Sequence, residues 1–136
     1  MSRADTEKLI ERYCTCFNAG DRDGMIACLS ADVRHDVNEG ASRVGHEKFR
    51  AFMQHMDRCY REHLTGITVM SNADGSRASA EFVVNGAYIA TDEGLPEAKG
   101  QNYVLPGGTF FDVRDGKIAR LTTYYNLKTW IALVSA

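Results

Sequence analysis

The sequence predicts an α+β domain: a cone-shaped barrel in which a curved, mostly antiparallel sheet wraps around a long helix, with a helical hairpin at the N-terminus. Three observations predict it. Apolar residues recur at helical spacing up to about residue 61 and at strand spacing from about residue 64 onward. Helices followed by a run of strands is the order of an α+β fold rather than of βαβ units. The turn Asn18-Ala19-Gly20-Asp21 joins two short helices so tightly that the pair must lie on something flat. A cone of this kind leaves a cavity between sheet and helices.

The elements follow in order. Asp5 or Thr6 caps the first helix, and Glu7 is favourable in its first turn. Leu9, Ile10, Tyr13 and Phe17 give it one apolar face, and Gly20 sits where a left-handed residue ends it. Asp21 caps a second helix whose buried side is Met25, Ile26, Cys28 and Leu29. Residues 32–38 alternate Val33, His35 and Val37 against Arg34, Asp36 and Asn38, which makes the first strand. Glu39 to Arg43 is a loop. From Gly45 to about Arg61 runs the longest helix, with a stripe of Phe49, Phe52, Met53, Met56 and Tyr60 that reads as core and packs across the sheet.

Strands fill the remainder. Leu64 to Ser71 ends at the turn Asn72-Ala73-Asp74-Gly75. Ser76 to Thr91 places Ala78, Ala80, Phe82, Val84, Gly86, Tyr88 and Ala90 on one side, small enough to bend the strand or leave room there. Asp92 to Glu97 is a solvated, negatively charged loop. Gln101 to Val113 is a strand with a bulge at Pro106-Gly107-Gly108, and Asp115-Gly116 turns it into the last strand, Lys117 to Leu127. The tail carries Trp130, Ile131, Leu133 and Val134 and is docked rather than free.

Composition excludes several function classes. A chain of 136 residues, 44% apolar and 25% charged, is one ordered domain. Its net charge of −2 and lack of basic runs argue against a nucleic-acid partner. No apolar run approaches the roughly 18 residues a membrane span needs, and the first residues lack the apolar core of a secretory signal. The expected location is the cytoplasm. Cys14, Cys16, Cys28 and Cys59 have neither zinc nor disulfide spacing, so reduced, mostly buried thiols are expected. His35, Asp36 and His63 could converge as a two-histidine, one-carboxylate set. Nothing in their spacing demands it, and no metal or cofactor is expected.

Arg12-Tyr13, Phe17-Asn18-Ala19-Gly20-Asp21, Asp23-Gly24 and Ala31-Asp32 before a strand bearing Asp36 resemble the start of the bacterial ketosteroid isomerases. Those belong to the nuclear-transport-factor-2-like (NTF2-like) superfamily, which also holds the SnoaL-type polyketide cyclases. Ala90 to Pro96 and Tyr124-Tyr125-Asn126-Leu127 resemble a branch called ketosteroid isomerase-related. The resemblance implies a homodimer of cones, each with a ligand inside. It also implies Asp36 as general base and Tyr13 as donor to the enolate oxygen. The isomerases' second donor, a protonated aspartic acid, falls at Gly108 or near Thr109, so half of that device is missing. The resemblance turns the Tyr125 face of the last strand, with Leu121 and Thr123, into the cone and the Tyr124 face toward a partner.

Alternation disagrees with the resemblance at one point. It carries His35 inward with Val33 and Val37 and leaves Asp36 outside. His35 could then act as base, orient the carboxylate, or be a core histidine. The ligand-facing candidates are Phe17, Phe52, Met53, Met56, Leu121 and Tyr125, with Tyr88, Asn102 and His63 the weaker ones. The expected function is an isomerase, cyclase or lyase moving a proton α to a carbonyl on an apolar substrate, though not a true steroid isomerase. The alternative is a non-catalytic binding module for an apolar small molecule, or a dimeric accessory subunit.

Overall fold

In a computed structural model, which describes residues 2–38 and 40–136, the first helix starts from Ser2 rather than from Asp5 or Thr6. Met1 and Glu39, the latter assigned above to a loop, lie outside the described residues. The Ser2 hydroxyl accepts from the Asp5 N–H at 3.1 Å, while the Asp5 carboxylate accepts from the Ser2 N–H at 3.2 Å. That reciprocal box serves two otherwise orphaned donors. Thr6 is buried instead, donating to the Gly75 carbonyl at 2.6 Å. Helix α1 (Arg3–Ala19) ends on Gly20 at φ +70°, and Asp21 caps α2 (Arg22–Ala27) by accepting from the Gly24 N–H at 2.8 Å.

Strand β1 (Leu29–Val37) begins three residues earlier than alternation suggests, and a two-residue strand, β2 (Arg43–Val44), pairs with it where a loop was expected. Helix α3 (His46–Cys59) stops at Cys59 because Tyr60 is extended, with φ −135° and ψ 151°. Tyr60 and Arg61 therefore open β3 (Tyr60–Ser71). With 14 residues, α3 is shorter than α1 with 17. The long helix lying against β3 and β4 (Arg77–Tyr88) is α1, while α3 covers β1 and β2.

Six strands form one sheet in the order β2-β1-β6-β5-β4-β3, where β5 is Gln101–Arg114 and β6 is Lys117–Tyr125. β1 and β6 run parallel and every other pair is antiparallel. β5 passes Pro106-Gly107-Gly108 without the expected bulge: Val83, Phe82 and Glu81 of β4 stay in register with them. Pairing with β6 ends opposite Gly107, so Pro106 lies where β5 is paired on one side only and a missing N–H costs little. Asp115 at φ +53° and Gly116 at φ +76° make the expected turn. The tail docks as α4 (Leu127–Ser135), capped by Asn126.

Two apolar clusters hold the layers together. One, with Ile10, Met25, Val33, Phe49, Phe111 and Ile118, lies under α1, α2 and α3. The other, with Tyr88, Tyr103, Leu105, Trp130 and Val134, lies under α4. Gly86 belongs to the second: a Cβ there would meet the Tyr103 ring at 2.2 Å, so the room left by this glycine is taken by Tyr103. All four cysteines are free, with Cys14, Cys28 and Cys59 buried. Among the described residues, no helix is long and apolar enough to cross a membrane.

Candidate functional site

A cavity of about 650 Å³ lies between the helices and the concave face of the sheet, within the size range of small-molecule sites. Strand β1 decides which of its two candidate side chains meets it. From Arg34 to Val37 the strand pairs with β6 without irregularity, and the register shift lies earlier, between Leu29 and Arg34. Alternation therefore holds across the pair. His35 borders the cavity together with Tyr13, and Asp36 does not.

The His35 ring is 4% exposed and meets the rings of Phe49 and Phe52 edge-on, with centroids 5.1 and 4.7 Å away. Its Nδ1 is buried without a hydrogen-bond partner among the described residues. Burial, reinforced by the Arg43 charge and only partly opposed by Asp36, holds its pKa down to about 4. The imidazole is thus neutral at pH 7. Tyr13 packs edge-on against Phe111 at 6.0 Å, and burial pushes its phenol far above the ordinary range, so it stays a donor.

Asp36 sits on the convex face, against the placement that the resemblance implied. Its carboxylate accepts from Thr122 at 2.9 Å and from Ser42, and pairs with Arg34 at 3.2 Å. Burial raises its pKa, but these hydrogen bonds outweigh it and hold the group below the ordinary value. Of the other candidates, Phe17, Phe52, Met53, Met56 and Tyr125 line the cavity. Three do not. Tyr88 is fully buried: its hydroxyl donates to the Pro96 carbonyl at 2.6 Å and accepts from the Asp92 N–H at 2.9 Å. Leu121 is core, and Asn102 is exposed because it follows the outward phase of β5. His63 is exposed as well, so His35, Asp36 and His63 do not converge. Thr109, rather than Gly108, lines the cavity, its hydroxyl sharing a 2.9 Å hydrogen bond with Thr123.

The cavity also holds acids that sequence reasoning passed over. Glu62 accepts from the Tyr103 hydroxyl at 2.5 Å. Burial raises its pKa more than Tyr103 and the Arg22 charge lower it. Asp92, expected in a solvated loop, turns inward and accepts from His55 Nε2 at 2.9 Å and from the Tyr60 hydroxyl at 2.7 Å. His55, Cys59 and Asp92 bring their ligand atoms within 4.8 Å of one another, the one metal-type grouping among the described residues. Both Asp92 oxygens already have protein partners there. What the site offers is a neutral base, a phenolic donor and two engaged carboxyl groups around an apolar space.

The sequence pattern of the SnoaL-like domain matches residues 10–121. The chain belongs to the SnoaL-like family. A crystal structure from a Silicibacter species, provisionally designated a polyketide cyclase, is 58% identical over 100% of this chain and 99% of its own, with a TM-score of 0.96. Another with the same provisional designation, from Pseudomonas putida, is 54% identical over 98% of each chain, with a TM-score of 0.94. An NTF2-like protein of unknown function from Burkholderia pseudomallei, 17% identical over the whole of both chains, shares the fold at a TM-score of 0.78. No curated protein matches the chain. The SnoaL-like fold is thus the NTF2-like cone expected from the first helix and its turn.

Glu62 could have been found in the sequence. Tyr60, Glu62 and Leu64 alternate inward on β3, a pattern broken when Tyr60 is counted as helix. Arg43, whose guanidinium carbon stands 4.6 Å from the Phe52 ring centroid, had no such signal, because a two-residue strand carries no periodicity.

Proposed function

We propose that this SnoaL-like protein is a small-molecule cyclase or isomerase that moves a proton α to a carbonyl, with His35 as the proton-transfer group and Tyr13 as donor to the enolate oxygen. One observation carries the reading: a buried, neutral imidazole borders the same cavity as a phenol that stays protonated. His35 takes the part that the resemblance assigned to Asp36. The proton passes from carbon to the imidazole while the carbonyl oxygen gains charge, and Tyr13 donates to that oxygen. Return of the proton at a second carbon completes an isomerisation; alternatively the enolate carbon attacks a second carbonyl, whose oxygen, now an alkoxide, takes the proton back from the imidazole as the ring closes.

A conjugate-acid pKa of about 4 does not disqualify the base. The aspartate of ketosteroid isomerase enolises its substrate with a pKa of about 4.6, provided the oxyanion is held. Relatives more than half identical carry a provisional polyketide cyclase designation, which supports carbonyl condensation over other acid/base chemistry. The same reading includes a homodimer formed through the convex face of the sheet, where Val104, Phe110 and Tyr124 are exposed.

Exchange of the α-protons of 2-tetralone in D₂O, followed by proton NMR, tests the proposal. The wild type accelerates exchange; His35→Gln loses about 10²-fold or more, and Tyr13→Phe about 10²-fold. Asp36→Asn stays within about twofold, as expected of a group off the transfer path. A wild type that binds the ketone without exchanging it leaves the binding-module alternative as the better reading.

A further inference from the structure

His35 has a neighbour across the strand. β1 and β2 pair with His35 directly opposite Arg43, so the two side chains leave the same face with Cβ atoms roughly 5 Å apart. Both border the cavity, and both lie on Phe52, the imidazole at 4.7 Å and the guanidinium carbon at 4.6 Å from its ring centroid. Each also carries a buried nitrogen with no hydrogen-bond partner among the described residues, Nδ1 of His35 and Nη1 of Arg43. A buried donor without an acceptor is costly, and a buried charge without a counter-charge is costlier.

The acids around the cavity, and Arg22 with them, are answered. Arg22 pairs with Asp57 at 2.7 Å. Glu62 is held by Tyr103, and Asp92 by His55 and Tyr60. Asp36, adjacent in sequence to His35, lies across the sheet and is committed to Arg34, Ser42 and Thr122. Arg43 makes no ion pair among the described residues, and Lys48, one turn before Phe52 on α3, adds a second positive charge to the cavity wall.

We propose that Arg43, directly opposite His35, is a carboxylate subsite and that the ligand is an amphipathic oxo acid, an apolar body with a carboxylate within a few bonds of its carbonyl. Arginine presents paired N–H donors that match a carboxylate, and the Phe52 ring beneath fixes the plane of the guanidinium. The body of the ligand then lies along Phe52, Met53, Met56 and Phe17. With the carboxylate on Arg43, the carbon between it and the carbonyl comes beside His35, and this last step alone rests on the proton-transfer reading above.

Calorimetric titration of the full chain with 2-naphthoate and with methyl 2-naphthoate tests the subsite, with fluorescence of Trp130, the sole tryptophan and a cavity residue, reporting occupancy. The acid binds about tenfold tighter than the ester or more, as a charge-assisted contact requires. Arg43→Gln erases that preference while ester binding persists, which also shows the variant's cavity to be intact. Arg43→Met does the same should the glutamine variant fail to fold, and Arg43→Lys keeps part of the preference. Equal binding of acid and ester by the wild type, binding of neither, or a preference that survives both neutral variants overturns the proposal. So does a preference that follows Lys48→Gln instead. Affinity is read without turnover: failed proton exchange removes the catalytic reading and leaves the subsite standing, whereas equal affinities remove the subsite and leave exchange untouched.

Discussion

Along β1 the chemistry changes in a single residue step. His35 faces a dry cavity with an unserved nitrogen, and Asp36 faces outward into a closed set of hydrogen bonds. The two therefore fail differently on substitution. Asp36→Asn weakens charge-assisted bonds to Thr122, Ser42 and Arg34 and lowers unfolding stability by about 1–3 kcal/mol, measurable by urea titration, with the cavity unchanged. His35 instead governs the pH dependence of stability. Its folded pKa of about 4 lies below its ordinary 6.5, so between those values the unfolded chain binds more protons. The stability present above pH 6.5 drains away as pH falls and is gone below about 4, a change of roughly 3 kcal/mol. Urea titrations at pH 4.5 and 7.5 check it: His35→Gln flattens the difference, and a wild-type curve no steeper than the variant's contradicts a buried neutral imidazole.

Elements were legible where their signal is local. The Gly20 stop, the Asp21 cap and the Asp115-Gly116 turn each follow from one or two residues and a known backbone preference, whereas the outward phase of Tyr124 follows from the family resemblance. What escaped was set by tertiary pairing. Tyr60 continues the apolar stripe of α3, yet it stacks on Tyr88 at 5.4 Å and pairs with it across β3 and β4. Pairing thus wins over helical periodicity and carries Glu62 into the cavity. The apolar residues of the tail read as docked but not as a helix, since their meaning lies in what they cover. Trp130 of α4 meets Tyr60, Tyr88 and Tyr103 edge-on at 6.0, 4.9 and 5.9 Å. Trp130→Ala opens that cluster at a cost of about 3–5 kcal/mol. Because Tyr103 also holds Glu62, the same change loosens the cavity wall, readable as weaker 2-naphthoate binding at a temperature where the variant is still folded.

At the scale of the whole molecule the sheet has one face committed and one unspent. The concave face meets α1, α3, α4 and the cavity; the convex face carries Val104, Phe110 and Tyr124 at 62%, 46% and 54% exposure. The Phe110 and Tyr124 rings lie 6.0 Å apart, and Phe110 is in register with Thr122, which is in register with Asp36. A row from β1 to β5 thus combines an apolar patch with a carboxylate already tied down by its own chain. This patch is where the proposed dimer would meet its partner, and a stable interface buries on the order of 1,000 Å² in total or more. Sedimentation of the wild type should give a dimer across micromolar concentrations. Val104→Asp combined with Tyr124→Asp places like charges on both copies of a self-complementary surface and yields a monomer. Since neither residue lines the cavity, the monomer should keep the acid-over-ester preference of its parent. A wild type that sediments as a monomer removes the interface, and a monomeric variant that loses the preference shows instead that the partner copy shapes the cavity.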